Sequence, residues 1–132
     1  MSLGNELELE LPWPPSNNRY YRHVLGKTLL SAEGRAYRGA VSKVVGAARA
    51  RRAWTCPLDV RVAAFPPDKR RRDLDNVLKA TLDALQYSGV FEDDGQIDAL
   101  SIYRAERIAG GSLTVRVLAL DADYRRALGD DA

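Results

Sequence analysis

Leucine and glutamate alternate strictly from Glu6 to Leu11, near the start of the chain. Successive side chains of a β-strand point to opposite faces of the sheet, so this segment places leucines on one face and carboxylates on the other. Such a strand belongs to a sheet with one buried face and one face in water. The chain therefore needs a second layer that covers one side of its sheet.

Two amphipathic segments can form that layer. Ser31 suits a helix N-cap, and the apolar spacing that follows predicts a helix over about residues 31–52. A second helix is predicted from Asp73 or Asp75 to Gly89, a residue suited to the position after a helix end. The apolar stripe of the first helix comprises Tyr37, Val41, Val44, Val45 and Ala48, and that of the second comprises Leu78, Leu82 and Leu85.

Three more strands are predicted, over Leu58 to Phe65 and over about residues 97–107 and 113–120, with a hairpin turn at Ala109-Gly110-Gly111 between the last two. The segment from Arg19 to Lys27 suits either a short strand or an ordered loop. The fold class predicted is α+β, a two-layer sandwich with a mixed sheet and two main helices on one face. Residues 1–120 form one domain in this interpretation, followed by a polar C-terminal tail over 121–132.

The net charge of +2 over 132 residues conceals an uneven distribution. Residues 1–18 carry three acids and no bases, residues 19–72 carry 14 bases and three acids, and residues 73–132 carry six bases and 12 acids. A basic block directly before an acidic one indicates a polyanionic partner together with a cation site.

The chain has one cysteine, Cys56, and one histidine, His23, which excludes an internal disulfide, a Cys-based zinc site and a multi-His metal centre. Metal chemistry must therefore use oxygen ligands. The sequence contains no uncharged apolar run of the ~18 residues that a membrane span needs and no basic segment leading into an apolar one at its start. We therefore expect a cytoplasmic protein.

The strongest chemical signal is a run of four cations, Lys69 to Arg72, that leads into Asp73 and Asp75, with Lys79 one helical turn later. Two carboxylates at this spacing can hold a hard cation such as Mg²⁺, and a nearby ammonium can hold a phosphate. Ordinary helix capping and an Asp75–Lys79 ion pair explain the same residues without a metal. No EF-hand or P-loop pattern is present.

A second acidic cluster, Glu92-Asp93-Asp94-Gly95, follows the predicted second helix. It suits a solvated turn as well as a third metal ligand, and spacing alone leaves both interpretations open.

Four motifs together resemble the RusA family of Holliday junction resolvases. They are Leu11-Pro12-Trp13-Pro14-Pro15-Ser16-Asn17-Asn18-Arg19-Tyr20, Ser31-Ala32-Glu33-Gly34, Arg70-Arg71-Arg72-Asp73-Leu74-Asp75-Asn76 with Lys79, and Asp93-Asp94 followed by Gln96. The resemblance implies a small Mg²⁺-dependent endonuclease that acts as a homodimer on four-way DNA junctions. It also implies that Asp73, Asp75 and Asp94 meet at one metal site and that Lys79 is required for activity.

Arginine-rich segments are expected to bind the DNA, because the guanidinium fork suits phosphate geometry. The expected contacts are Lys69, Arg70, Arg71 and Arg72, with Arg19, Arg22 and His23 adding to them. Tyr20 and Tyr21 suit either packing or stacking on an unpaired base. Two further hypotheses remain: a broader structure-selective nuclease, and a non-catalytic branched-DNA-binding dimer whose acids only cap a helix.

Overall fold

The computed structural model describes residues 5–121 as six strands and three α-helices. In chain order they are β1 (Glu6–Leu11), α1 (Asn17–Tyr20), β2 (Tyr21–Val24), β3 (Lys27–Leu30), α2 (Ala32–Ala47), β4 (Leu58–Phe65), α3 (Asp75–Tyr87), β5 (Ile97–Arg104) and β6 (Ser112–Ala119). A 3₁₀ turn, Asp94–Gln96, precedes β5. Except for Asp121, the predicted tail over 121–132 lies outside the described residues.

The four-stranded sheet has the order β1-β6-β4-β5, with β4 and β5 parallel and the other pairs antiparallel, so the predicted mixed sheet is confirmed. The leucines of β1 are buried and its glutamates are exposed. Leu9 lies opposite Val115 of β6, which in turn lies opposite Val62 of β4. On the other face, the Arg116 side chain forms an ion pair with the Glu6 carboxylate. The alternation in the sequence therefore correctly predicted a sheet with one solvent-exposed face.

The predicted hairpin between the last two strands is wrong. Gly110 and Gly111 do turn the chain, with φ of 82° and 75°, but β4 lies between β5 and β6 in the sheet. Strand β6 alternates buried and partly exposed residues and takes a central position, whereas β5 exposes Leu100 and Tyr103 and takes the edge. The central position buries the β6 side chains between two neighbouring strands. This burial determines the strand order, although the short connection between β5 and β6 would allow a hairpin.

Helices α2 and α3 cover the buried face of the sheet. Ser31 caps α2 as predicted, since its hydroxyl oxygen accepts a hydrogen bond from the Gly34 N–H at 2.9 Å. The helix ends at Ala47, earlier than predicted, and Arg49 adopts a left-handed conformation with φ of 55°. The core between the layers includes Val41, Val45, Val60, Val62, Ala80, Ala84 and Leu85, all nearly inaccessible to solvent.

The segment that the sequence left undecided forms α1 and the β2–β3 hairpin, which is separate from the main sheet. The Ser31 hydroxyl donates to the carbonyl of Tyr20 at 2.9 Å, and a Cβ on Gly34 would collide with that carbonyl. This close approach fixes Tyr20 and Tyr21 beside the two helices. Among the described residues, no helix combines the length and the apolar character needed to cross a membrane.

Candidate functional site

The run of cations lies in the connection between β4 and α3, residues 66–74, which we call the arginine loop. Asp68 organises it by accepting hydrogen bonds from the Arg70 N–H at 2.9 Å and from the Arg72 guanidinium at 2.6 and 3.0 Å. The Arg72 guanidinium, followed by the Arg70 N–H, lowers the pKa of the Asp68 carboxyl below its usual range. Arg104, at the end of β5, donates to the Arg72 carbonyl at 2.6 Å. The loop is thus tied to the sheet immediately before Asp73.

Asp73 and Asp75 are exposed at the start of α3. The first turn is closed by the backbone carbonyl of Asp73, which accepts from the Asn76 N–H at 3.2 Å, and the N-cap residue, Leu74, makes no side-chain cap. Among the described residues, neither carboxylate has a hydrogen bond or ion pair, and the Asp75–Lys79 pair does not form. Capping therefore does not account for these two acids.

Lys79 lies one turn further along α3, with its ammonium 5.2 Å from the centre of the Tyr21 ring, a cation–π distance. The Tyr21 ring meets the edge of Tyr20, with centroids 4.9 Å apart and planes at 84°. Burial raises the pKa of the Tyr21 hydroxyl above its usual value. Tyr21 therefore packs against Lys79 and Tyr20 in the free protein.

Tyr20 belongs to a partly buried polar cluster that joins α1, α2 and α3, and we call it the Asp83 cluster. The Tyr20 hydroxyl donates to Asp83, and the Arg38 guanidinium donates to both Asp83 oxygens at 2.9 and 3.2 Å. The bond to Asp83 raises the pKa of Arg38 above its ordinary value, and burial raises that of Tyr20. Asp83 is one turn beyond Lys79, so the cluster fixes the helix face that carries Lys79.

The two acids that precede β5 have different surroundings. The Asp93 carboxylate accepts from the Gly95 N–H at 3.0 Å, and the Gln96 side chain accepts from the Asp93 N–H at 2.8 Å, a capping box for the 3₁₀ turn. The carboxylate of Asp94 is exposed and has no hydrogen bond or ion pair with a described residue. Asp93 therefore shapes the turn, and Asp94 is the acid left available.

Within one chain, Asp94 does not join Asp73 and Asp75 in a described group of acids that could hold a metal ion. Its N–H donates to the Gln86 side chain at 3.0 Å, and Gln86 lies 11 positions after Asp75, about 16 Å along the helix. Over the described part of the chain, no three Asp, Glu, His or Cys side chains are close enough to hold a metal ion. The negative charge of Asp94 does reach Tyr21, whose pKa it helps to raise.

The donors that are available nevertheless fit a hard divalent cation. Three exposed carboxylates without partners in the described residues offer the oxygen ligands that Mg²⁺ prefers, and exposure leaves room for water and phosphate oxygens.

Basic residues converge on a polar cleft of about 540 Å³ beside Asp73. Its lining includes Pro14, Ser16, Arg19, Arg70, Arg71 and Asn76. Asn76 accepts from the Asn17 N–H at 3.1 Å and so holds the proline-rich segment at the start of α3. Arg22 and His23 lie on β2, outside the lining of this cleft, where the His23 ring contacts the Thr28 hydroxyl at 3.1 Å.

Arg72 differs from the other cations of the run. Its side chain is 20% exposed and engaged by Asp68, and its guanidinium lies 5.9 Å from the centre of the Trp13 ring. Sequence reasoning did not identify Asp68, Trp13, Arg104 or the Asp83 cluster as parts of the site. The close spacing of Asp68 and Arg72 was a local signal, whereas nothing in the sequence connects Asp83 with Arg38 or Tyr20.

Comparison with known proteins supports the resemblance. The family model described as "Endodeoxyribonuclease RusA" matches residues 12–117. Crossover junction endodeoxyribonucleases RusA of Enterobacteria phage 82 and of Escherichia coli strain K12 are each 42% identical to the chain over 113 residues, which are 86% of this chain and 94% of the relative. The RusA protein of Escherichia coli O139:H28 strain E24377A is 40% identical over 116 residues, 88% of this chain and 97% of the relative.

Proposed function

The chain belongs to the RusA family of endodeoxyribonucleases, and we propose that it resolves four-way DNA junctions by a Mg²⁺-dependent pair of symmetric nicks. The observation that carries this proposal is the pair of exposed carboxylates without partners, Asp73 and Asp75, held beside a cationic cleft. Bacterial and phage DNA lies in the cytoplasm, where we expect the protein to act.

Asp73, Asp75 and Asp94 would hold the metal, which supplies charge neutralisation at the scissile phosphate and activation of the attacking water. None of these three carboxylates forms an ion pair with a described residue, so each can bind the metal ion without first losing such a partner. The arginine loop orients the strand by binding the flanking phosphates. Lys79, one turn along α3 from Asp75, carries a positive charge that can stabilise the negative charge developing on the phosphate.

Lys69, Arg70 and Arg71 are the main phosphate contacts in this proposal. Arg19 also lines the polar cleft, and Arg22 lies on β2 outside its lining. They are exposed, and their charges are free to release counterions from DNA on binding, apart from the weaker pairing of Arg70 with Asp68 at 3.5 Å. Arg72 adds charge to the same surface while it holds the loop in shape.

A homodimer suits the substrate, since a four-way junction with two-fold symmetry needs two equivalent nicks. The separation of Asp94 from the Asp73–Asp75 pair gives the dimer a second role. We propose that each metal site is completed across the two-fold axis, with Asp73 and Asp75 from one subunit and Asp94 from the other. Both sites then form only in the dimer.

The deciding experiment incubates the protein with a four-way junction, a replication-fork analogue and a plain duplex, each with and without Mg²⁺. The expected result is paired nicks at symmetric positions of the junction, in the presence of metal only. Equal cleavage of forks and junctions would favour the broader structure-selective nuclease. Junction binding without cleavage under any divalent metal would leave only the non-catalytic binding protein.

A further inference from the structure

A second cleft adjoins Asp73 and shares the arginine loop, Trp13 and Val77 with the polar cleft. It has a volume of about 420 Å³, within the ~300–1,000 Å³ typical of small-ligand sites. Apolar side chains form much of its wall, and cations from the arginine loop and from the segment after β5 surround them. The apolar members include Trp13, Ala64, Pro66, Leu74, Val77 and Ala105.

The walls of this apolar cleft are fixed by contacts already described. Asp68 holds Arg72, whose guanidinium lies against the Trp13 ring. Gly111 approaches Trp13 so closely that a Cβ there would lie 2.8 Å from the Trp13 Cβ. The Ala105 N–H donates to the Ala64 carbonyl at 2.7 Å, which anchors the opposite wall to β4. A cleft formed before the ligand arrives spends less binding free energy on ordering.

The two clefts share Asp73, the arginines of the arginine loop, Trp13 and Val77, and they differ in the rest of their lining. The polar cleft, with Arg19 and Asn76, suits the charged backbone of DNA. The apolar wall cannot replace the hydration of a phosphate, so burying one there would be unfavourable. A nucleobase is the part of DNA that is flat and largely apolar, and it is tethered to the phosphate that would lie at the proposed metal site beside Asp73. The cationic rim keeps its attached phosphates in place.

We propose that the apolar cleft takes one unpaired nucleobase of the strand to be cut, extruded from the stack where the four arms meet. This inference rests on the proposed function and extends it by naming the part of the junction that each cleft binds. Base pairs at a branch point have interrupted stacking, so extrusion there costs less than within a continuous duplex.

The test uses four-way junctions in which a single 2-aminopurine is moved through the nucleotides around the crossover, with metal omitted so that no strand is cut. Stacking in DNA quenches the fluorescence of this base. We expect a rise of severalfold at one position on binding of the wild-type protein. Ala105→Leu, which fills the cleft, should abolish that rise, whereas Ala109→Leu, in the same connection but outside the cleft lining, should retain it.

A second measurement does not depend on a variant. Replacement of the responding nucleotide by an abasic residue should weaken binding of the wild-type protein about tenfold, as expected for loss of one bound base. An equal response at every position, or a full response from Ala105→Leu, would overturn the proposal. If the protein nicks junctions normally but no 2-aminopurine position responds, the base-binding proposal is wrong and the proposed function stands. If one position responds but no strand is nicked, the proposed catalysis is wrong and the base-binding proposal stands.

Discussion

The arginine loop before α3 and the later part of α3 are held by different kinds of contact. The arginine loop is shaped by exposed hydrogen bonds between residues two and four positions apart, those of Asp68 with Arg70 and Arg72. In the later part of α3, Asp83 is held by Arg38 and Tyr20, which are 45 and 63 positions away and partly buried. Exposed local ion pairs contribute little to stability, while a partly buried network fixes a unique arrangement. The loop contacts therefore shape the site but add little to the stability of the fold, whereas the contacts of Asp83 support both the fold and the helix face that carries Lys79.

The largest effect on cleavage is expected where the arginine loop meets α3, at the proposed metal ligands. Asp75→Asn should reduce Mg²⁺-dependent cleavage about a thousandfold, because loss of a metal ligand removes several kcal/mol of transition-state stabilisation. Junction binding should persist, since a negative charge near phosphate has been removed. Single-turnover cleavage and a binding titration measure the two quantities. Glu10→Gln, on the exposed face of β1, is the matched control and should cleave like the wild type.

The Asp75→Asn variant can also test whether each metal site is shared between the two subunits. Asp94→Asn should also be inactive, but a mixed dimer of Asp75→Asn and Asp94→Asn subunits retains one complete set of three aspartates if the set spans the two subunits. Coexpression with different tags isolates that dimer. It should nick one strand of the junction, whereas each parent dimer nicks none. A mixed dimer as inactive as its parents, beside an active wild type, would contradict the site across the two-fold axis.

The next largest effect is on stability, and it compares the Asp83 cluster with the arginine loop. Asp83→Asn weakens the hydrogen bonds from Arg38 and Tyr20, and bonds to a charged group of this kind contribute about 2 kcal/mol. The free energy of unfolding should fall by about that amount, which lowers the thermal midpoint by several degrees. Asp68→Asn breaks only exposed contacts and should leave the midpoint unchanged. Equal midpoints for the two variants would contradict the difference proposed between the arginine loop and the Asp83 cluster.

Positioning of Lys79 by Tyr21 gives a smaller effect. A cation–π contact contributes about 0.5–2 kcal/mol, so Tyr21→Leu should lower kcat about 2- to 30-fold. Tyr21→Phe keeps the ring and should restore the rate, and KM should change in neither variant. In a Lys79→Ala background, Tyr21→Leu should have no further effect on kcat. A rise in KM alone, or equal loss in Phe and Leu variants, would assign Tyr21 to DNA binding instead.

The same contrast explains how far the sequence could predict the structure. The β1 alternation and the Ser31 cap are local signals, because their physical causes lie within a few residues, and both were confirmed. Placement of β6 beside β4 depends on burial against distant strands, so the turn at Gly110 indicated the wrong partner.

In the candidate site, too, residues within one short motif could be predicted from sequence and contacts between distant residues could not. Asp73, Asp75 and Lys79 were identified because they lie within one short motif, and their roles remain predictions. Local spacing does not distinguish Asp93 from Asp94: the family resemblance selected Asp94, and the capping box shows that Asp93 is engaged in the turn. The Asp83 cluster has no local pattern at all, since its three side chains come from three separate elements.

The smallest expected effect separates two neighbouring cations within the arginine loop. The slope of log affinity against log salt counts the phosphates that a protein neutralises, at about 0.9 per phosphate. Arg71→Gln should reduce this slope by about 1, because the Arg71 side chain is exposed and engages no other described residue. Arg72→Gln should reduce it less, since Asp68 already pairs with that guanidinium, and should instead lower the cleavage rate, because loss of this pair loosens the loop immediately before Asp73. Equal slopes for both variants would show that Arg72 leaves Asp68 for phosphate when DNA binds, and the loop would then be reorganised by its substrate.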